Sequence, residues 1–449
     1  MRTQTIRRLV LGTVATGTLL ATTVVAAEAR PSVYWTDQIG TSGDDRATGV
    51  ATARNGDVYV YGDTEGAMQT GFTPLGNRDV YLARYNKYGD LLWVRQFGTA
   101  GDEVPMQRIV VTSAGDVIIG GATNGAWTGY TNAGGYDAFV AKVSKTGVLK
   151  WVRQSGSAGY DAVVGAAAAS SGDLYFSVQT NGVFPSGTTV ANTSGGGYDA
   201  VLAKFDRNGR LKWAKQLGGP GDETTWDVAV SRRNEVYLAG TTFGDIDDTG
   251  PISLGGVSDG FIARYDAKGN QTWLKTFGGA EDDEIWGVAV NRAGEVYAAG
   301  DTTGSRGTVG PEASRTNQGQ YDSWIVKMDK LGTVAWESQH GTAGNDYAWS
   351  PVIAKNGKLL VGGGTQGSLT PNANLGGWDT YVASVSTDGV TTTIRQFSTA
   401  EDDYNGSYGT PIALGTGSSI VLAGLTSGSI WGHHNEGSDD AFVTAIPGL

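Results

Sequence analysis

The chain of 449 residues has no cysteine, three histidines and four methionines. Without cysteine there is no disulfide, thiol nucleophile, thiolate metal site or lipid-modified N-terminal cysteine. So few histidines leave little material for a nucleophile–base pair. The sequence also lacks a serine elbow motif, a P-loop and a dinucleotide fingerprint. Proline is scarce at 11 residues, charged residues make up only 17%, and the formal net charge is -12. An acidic chain argues against nucleic acid as a partner, because phosphates need Lys and Arg for neutralisation. Beyond the N-terminus no stretch is long and apolar enough to span a bilayer.

The one apolar run is N-terminal. Arg2, Arg7 and Arg8 precede "LVLGTVATGTLLATTVVAA" and the small-residue stretch "AAEA". This reads as a secretory signal cleaved near Ala27 or Ala29, with an uncleaved anchor as the alternative. The expectation is a signal peptide over 1–29, a single domain over 30–449, no membrane span after cleavage, and a secreted, periplasmic or cell-surface monomer. Three arginines and Glu28 leave with the signal, which takes the net charge from -12 to -14.

What is abundant is glycine, at 70 residues, beside 13 tryptophans and 19 tyrosines. These are distributed by a repeat. "FGGAEDDEIWGVAV" (277–290) recurs near 39, 97, 155, 217, 340 and 397, making seven copies. Just ahead of six of them stand Trp35, Trp93, Trp151, Trp213, Trp273 and Trp336, at spacings of 58, 58, 62, 60 and 63; Thr393 takes the place in the seventh.

Each repeat reads as four strands. A "GVAV"-type strand leads through a tight turn, such as "RNGD" or "KNGK", to a "VYAAG"-type strand. Five of six such turns carry Gly at the third position and one carries Asn234, the residue types that tolerate the positive φ a tight hairpin demands. A variable loop then precedes a third strand opened by Asp79, Asp137, Asp199, Asp259, Asp322, Asp379 or Asp440. A second tight turn precedes the fourth strand. Four-stranded repeats of about 60 residues, seven in number, predict an all-β seven-bladed propeller with antiparallel blades. A lone fourth strand near Val33–Gln38 and a lone third strand over Asp440–Ile446 predict ring closure by completion of the last blade.

With the "GTxGDD" turn, the "GxVYxxG" strand and the "YDAFVAK…G…W" hairpin, residues 33–446 resemble the bacterial seven-bladed β-propeller repeat of the SBBP type. The third repeat departs most, with "GYD" for "GDD" and Val178 for the usual Gly. The resemblance implies a secreted or surface propeller and points to no particular reaction.

Paired carboxylates can be an acid and base or metal ligands. Here the second position of the pair is acidic in all seven copies: Asp45, Glu103, Asp161, Glu223, Asp283, Asp346 and Asp403. A residue built into every blade has a job in every blade, and accepting turn N–H groups is the main expectation. The alternative is an acidic mouth that attracts cations. Calcium is the one cofactor considered, with "GDIDDTG" and its Asp245, Asp247 and Asp248 as weak candidate ligands. His433 and His434, near Glu436, Asp439 and Asp440, are a weaker transition-metal candidate.

Asymmetry points to function. Trp226, Trp286 and Trp349 precede the inner strands of three consecutive repeats, where the others have Thr48, Met106, Val164 and Gly406. They form a candidate ligand surface with Asp283 and Asp346, extended by Trp127, Tyr130, Tyr198, Tyr321, Trp378 and Trp431, or else pack between blades. The reading is a non-enzymatic module binding a protein, glycan or envelope polymer. The alternatives are a polysaccharide-acting enzyme using face carboxylates, or a calcium-stabilised surface protein.

Overall fold

The hairpin turns adopt the backbone their residues favour. Gly56, Gly115, Gly172, Gly294 and Gly357 all have φ between 83 and 92°, and Asn234, at φ 60°, is the one non-glycine residue with positive φ among the described residues. The computed structural model describes residues 33–187, 193–244, 246, 257–306, 316–371, 374–403, 411–430 and 432–449. The expected signal segment therefore lies outside the described residues.

Strands join into seven antiparallel sheets and no helix occurs among the described residues. Blades 1 to 6 run over 45–97, 103–155, 161–217, 223–277, 283–340 and 346–397, each in the order inner to outer strand. Blade 7 takes three strands from 412–446 and its outer strand from Trp35–Ile39, which pairs antiparallel with Asp440–Ile446. The chain is thus an all-β seven-bladed propeller closed by its N-terminal strand.

Apolar clusters lie between neighbouring blades. Tyr297 and Ala299 of blade 5 pack on Leu359 and Val361 of blade 6; Tyr81 and Ala83 of blade 1 pack on Val421 and Val443 of blade 7. Both faces of each sheet are buried, so bulky residues occur on both. The fourth-strand tryptophans are part of this seam. Trp35 stacks on Tyr85 at 5.7 Å. An added Cβ on Gly89, at φ 95°, would come within 2.6 Å of the Trp35 ring.

Candidate functional site

Each blade begins on one face of the ring, here the upper face, at the turn with the paired acids. All seven second-position acids are buried, at 2% exposure or less. Their carboxylates accept the N–H of the residue four earlier: Thr41 to Asp45 at 2.5 Å, Thr99 to Glu103 at 3.0 Å, Gly279 to Asp283 at 2.8 Å and Thr342 to Asp346 at 2.6 Å are examples. Their own N–H groups donate to the preceding blade, as from Asp283 to the Ser258 carbonyl and from Asp45 of blade 1 to the Asp439 carbonyl of blade 7. This is the turn role expected of them, and the alternative of a negative mouth is not built from these groups. Asp283 and Asp346 sit inside their turns, and Asp283 is further paired with Arg306.

The aspartates opening the third strands are buried too, and their partner is one the repeat pattern above does not single out. Gln96, Gln154, Gln216, Gln339, Gln396 and Gln38 each donate from Nε2 to Asp79, Asp137, Asp199, Asp322, Asp379 and Asp440, at 2.6 to 3.1 Å. Each also donates to a loop carbonyl and accepts a loop N–H; for Gln154 these are Gly125 O and Trp127 N. The signal lay three residues after five of the six fourth-strand tryptophans and after Thr393, which takes the tryptophan's place in blade 6. Blade 4 has Thr276 there, too short to span the same three groups.

Trp226, Trp286 and Trp349 lie inside the first strands and not ahead of them, which corrects the expected boundary. Those strands begin three residues earlier, at Glu223, Asp283 and Asp346. The ladder skips one residue in each, between Thr225 and Asp227, Ile285 and Gly287, and Ala348 and Ser350. Each tryptophan is thus the extra residue of a β-bulge, a device that re-aims a side chain. Thr48 and Val164 occupy the same bulge in blades 1 and 3.

Two aromatic groups result on blades 4 to 6. Trp226 and Trp286 have ring centroids 4.4 Å apart. Tyr347 contacts Tyr321 at 5.6 Å and Trp349 at 5.5 Å, and stacks on Trp378 at 5.3 Å and 15°. Trp349 is only 6% exposed, whereas Trp226, Trp286, Tyr321, Tyr347 and Trp378 remain partly exposed. Trp127 is packed on Phe139 at 5.3 Å, and Tyr198 groups with Tyr160 at 6.1 Å on blade 3. The Tyr130 hydroxyl donates to the Val152 carbonyl at 3.2 Å.

Beside the first group is a carboxyl pair that no repeat pattern announced. Glu284 and Asp301 are direct cross-strand partners in blade 5, which places their Cβ atoms about 5 Å apart. The Trp286 indole N–H donates to Asp301 at 2.5 Å. Burial, reinforced by the Asp282 charge, raises Glu284 to about 7. Burial, reinforced by Glu284, pushes Asp301 well above the carboxylate range.

An ion pair links the inner strands of two non-adjacent blades. The inner strand of blade 2 is broken, with pieces at Glu103–Pro105 and Val110–Val111. From the gap, Arg108 reaches Asp227 of blade 4 at 3.0 Å. Asp227 is 3% exposed and also accepts the Val288 N–H of blade 5 at 3.0 Å. Gly165 of the intervening blade makes room, since a Cβ there would come within 3.1 Å of Asp227 Cα. On the lower side the inner hairpins line a cavity of about 350 Å³ that includes Arg54, Arg232, Thr112 and Ser231.

Asp245, Asp247, Asp248 and Trp431 lie outside the described residues. Among the described residues no group of three His, Asp or Glu side chains is placed to hold a metal. His433 Nε2 is 3.1 Å from the Thr36 carbonyl, and Asp440 is engaged by Gln38. His340 packs edge-on against Tyr381.

Burial is the leading cause that raises Asp45, Asp346, Asp379 and Asp403 to about 6 and Glu103 and Asp63 to about 7. Between the unfolded carboxylate range and these values the folded chain binds more protons than the unfolded one, so stability falls as pH rises through that window. The melting temperature should therefore be a few degrees higher near about pH 5 than near about pH 8. Accepted N–H bonds favour the ionised forms and keep the effect modest. Calorimetry across the window checks this; a melting temperature that falls on acidification from about pH 8 to about pH 5 contradicts it.

No family model matches the chain. It is 28% identical over 244 residues to the regulatory protein FlaEY of Caulobacter vibrioides, a match covering 52% of this chain; the chain spans about a quarter of that curated relative, 24% of its length. Among solved structures it superposes on an ulvan lyase in a saccharide complex, with TM-score 0.51, 11% identity and coverage of 92% of this chain and 97% of the lyase. Kuenenia stuttgartiensis hydrazine synthase gives TM-score 0.50 at 10% identity, covering 94% of this chain and 98% of that one. At such identities these likenesses establish the propeller fold alone.

Proposed function

We propose that this chain is an exported, non-enzymatic β-propeller that binds a polymeric partner, a protein or envelope glycan, on the upper face of blades 4 to 6. The observation that carries the reading is the run of partly exposed aromatic rings on three consecutive blades, from Trp226 and Trp286 to Tyr321, Tyr347 and Trp378. Seven-fold repetition explains residues that occur in every blade. It does not explain the bulge tryptophans Trp226, Trp286 and Trp349, which only three consecutive blades carry. Aromatic rings offer large contact area at low entropic cost, which suits polypeptide and sugar alike. Similarity to a regulatory protein supports a binding role, and the resemblance to SBBP-type repeats supports export.

An enzyme acting on polysaccharide is the second reading, favoured by the Glu284–Asp301 pair, whose raised proton affinities suit a general acid. Against it, Asp301 is 1% exposed and held by the Trp286 N–H, so only Glu284 is open to a sugar.

The test is binding of the purified protein to arrays of envelope glycans and peptides, compared with a Trp286→Ala/Tyr347→Ala variant. A ligand bound by the wild type should lose at least tenfold in affinity, about 1.4 kcal/mol, with the fold retained by circular dichroism. Equal binding by both proteins removes the aromatic face from the reading, and turnover of any polysaccharide on the array replaces it with the enzyme.

A further inference from the structure

The repeat supplies its own comparison for the Glu284–Asp301 pair. Arg46 and Asp63 of blade 1 hold the same register as Glu284 and Asp301 of blade 5. In blade 1, Asp63 is bridged by Arg46 at 3.0 Å and by Arg78 at 2.6 Å. Arg78 also reaches Glu65 at 2.5 Å and Asp44 at 3.4 Å. Arg78 is the residue just before the third-strand aspartate, and its carbonyl receives the next blade's stitching N–H. By the same two criteria its counterpart in blade 5 is Tyr321, and the counterpart of Asp44 is Asp282.

Blade 5 therefore keeps two of these three carboxylates, as Asp282 and Asp301, has Thr303 in place of Glu65, and adds Glu284. Both arginines are replaced, by Glu284 and Tyr321. Among the described residues no cation is within ion-pair distance of these three carboxyls; Arg306, on the same blade, is spent on Asp283. What surrounds them instead is aromatic. The Trp286 N–H lies on Asp301, and Tyr321, in contact with Tyr347, feels the charges of Glu284, Asp301 and Asp282 after its own burial. Carboxylates beside aromatic rings suit a planar cation, which can gain both charge-assisted hydrogen bonds and cation–π contact.

We propose that Glu284 and Asp282, with the buried Asp301 behind them, form a binding site for a guanidinium group presented by the ligand, an arginine side chain of a polypeptide partner, in the place that Arg46 and Arg78 fill from within in blade 1. The site deepens the binding reading above and rests on it, since it selects a basic polypeptide over a neutral glycan.

The experiment titrates the whole protein with a short glycine-flanked arginine peptide, its citrulline isostere and glucosamine, followed by tryptophan fluorescence and calorimetry. The arginine peptide should bind saturably and perturb Trp286, and the neutral citrulline peptide should bind at least tenfold more weakly. Tight binding of glucosamine instead assigns the cation to an amino sugar and overturns the polypeptide assignment. A Glu284→Gln/Asp301→Asn variant, close to isosteric, should lose the arginine peptide. A Glu284→Arg variant copies blade 1. It should abolish peptide binding and raise the melting temperature by several degrees, because an internal guanidinium then occupies the site. Arginine and citrulline peptides binding alike, or a Glu284→Arg protein that is destabilised, would overturn the proposal. A wild type that binds array polymers without preference for arginine sinks this inference alone; one that binds no polymer sinks the binding reading as well.

Discussion

A chain lacking residues 33–39 should melt roughly 10 °C below the intact protein, on a loss of about 5 kcal/mol at about 2 °C per kcal/mol. The segment supplies the outer strand of blade 7 along five paired residues. It also supplies Gln38, whose amide donates to Gly428 O and Asp440 Oδ2, each at 3.1 Å, and accepts the Ile430 N–H at 2.9 Å. Removing Gln38 leaves the 0%-exposed Asp440 carboxylate short of a partner, and an unsatisfied buried group of this kind costs about 1–3 kcal/mol. Removing Trp35 strips the ring stacked on Tyr85. The deletion also bares the apolar strand "DAFVTAI" as an open edge, an invitation to dimerise or aggregate. Differential scanning calorimetry and light scattering check both effects, and a peptide covering residues 33–39 added in trans should restore part of the loss. An unchanged melting temperature and a monodisperse monomer would show that the ring does not depend on this strand.

The second large effect is expected at the Arg108–Asp227 ion pair. Arg108→Ala leaves Asp227 buried without its counter-ion, with only the Val228 and Val288 N–H groups as donors. Breaking one side of a buried pair costs about 3–5 kcal/mol; the guanidinium keeps 29% exposure, so the lower end of that range applies. Burial already raises the proton affinity of Asp227, with Arg108 opposing the rise, so in the variant this carboxyl should stay protonated to higher pH. An Arg108→Met/Asp227→Leu double variant should recover most of the stability, because the pair itself contributes little net energy once both charges are gone. Chemical denaturation of the two variants separates the cases. Equal loss in both would mean that Arg108 acts through packing of the broken strand and not through charge.

Much of the fold was legible because a propeller repeats its instructions. Each hairpin glycine, and Asn234 in the equivalent place, reports a local backbone requirement that depends on no distant residue. The acids at Asp45 and its six equivalents were readable as structural for the same reason. Their bonds reach four residues back to the turn N–H, and the requirement recurs in every blade. The pairing of residues 35–39 with 440–446 was readable from strand count, although the partners are some 400 positions apart in sequence.

The site was legible only in part. Trp226, Trp286 and Trp349 stood out as departures from the repeat, but the bulge that aims them depends on how the inner strand pairs. The glutamine in the fourth strand was in plain view and became meaningful only when its three contacts were seen to tie one variable loop to the aspartate that opens the next strand. The Glu284–Asp301 pair and the Arg108–Asp227 bridge left no trace in local pattern. The first unites residues 17 positions apart through strand register, and the second links two blades that are not neighbours in the ring. Turn type and strand number follow from steric preferences of short segments, which any reading of local sequence captures. Which charges meet depends on register and on the approach of non-adjacent blades, and those exist only once the ring has closed.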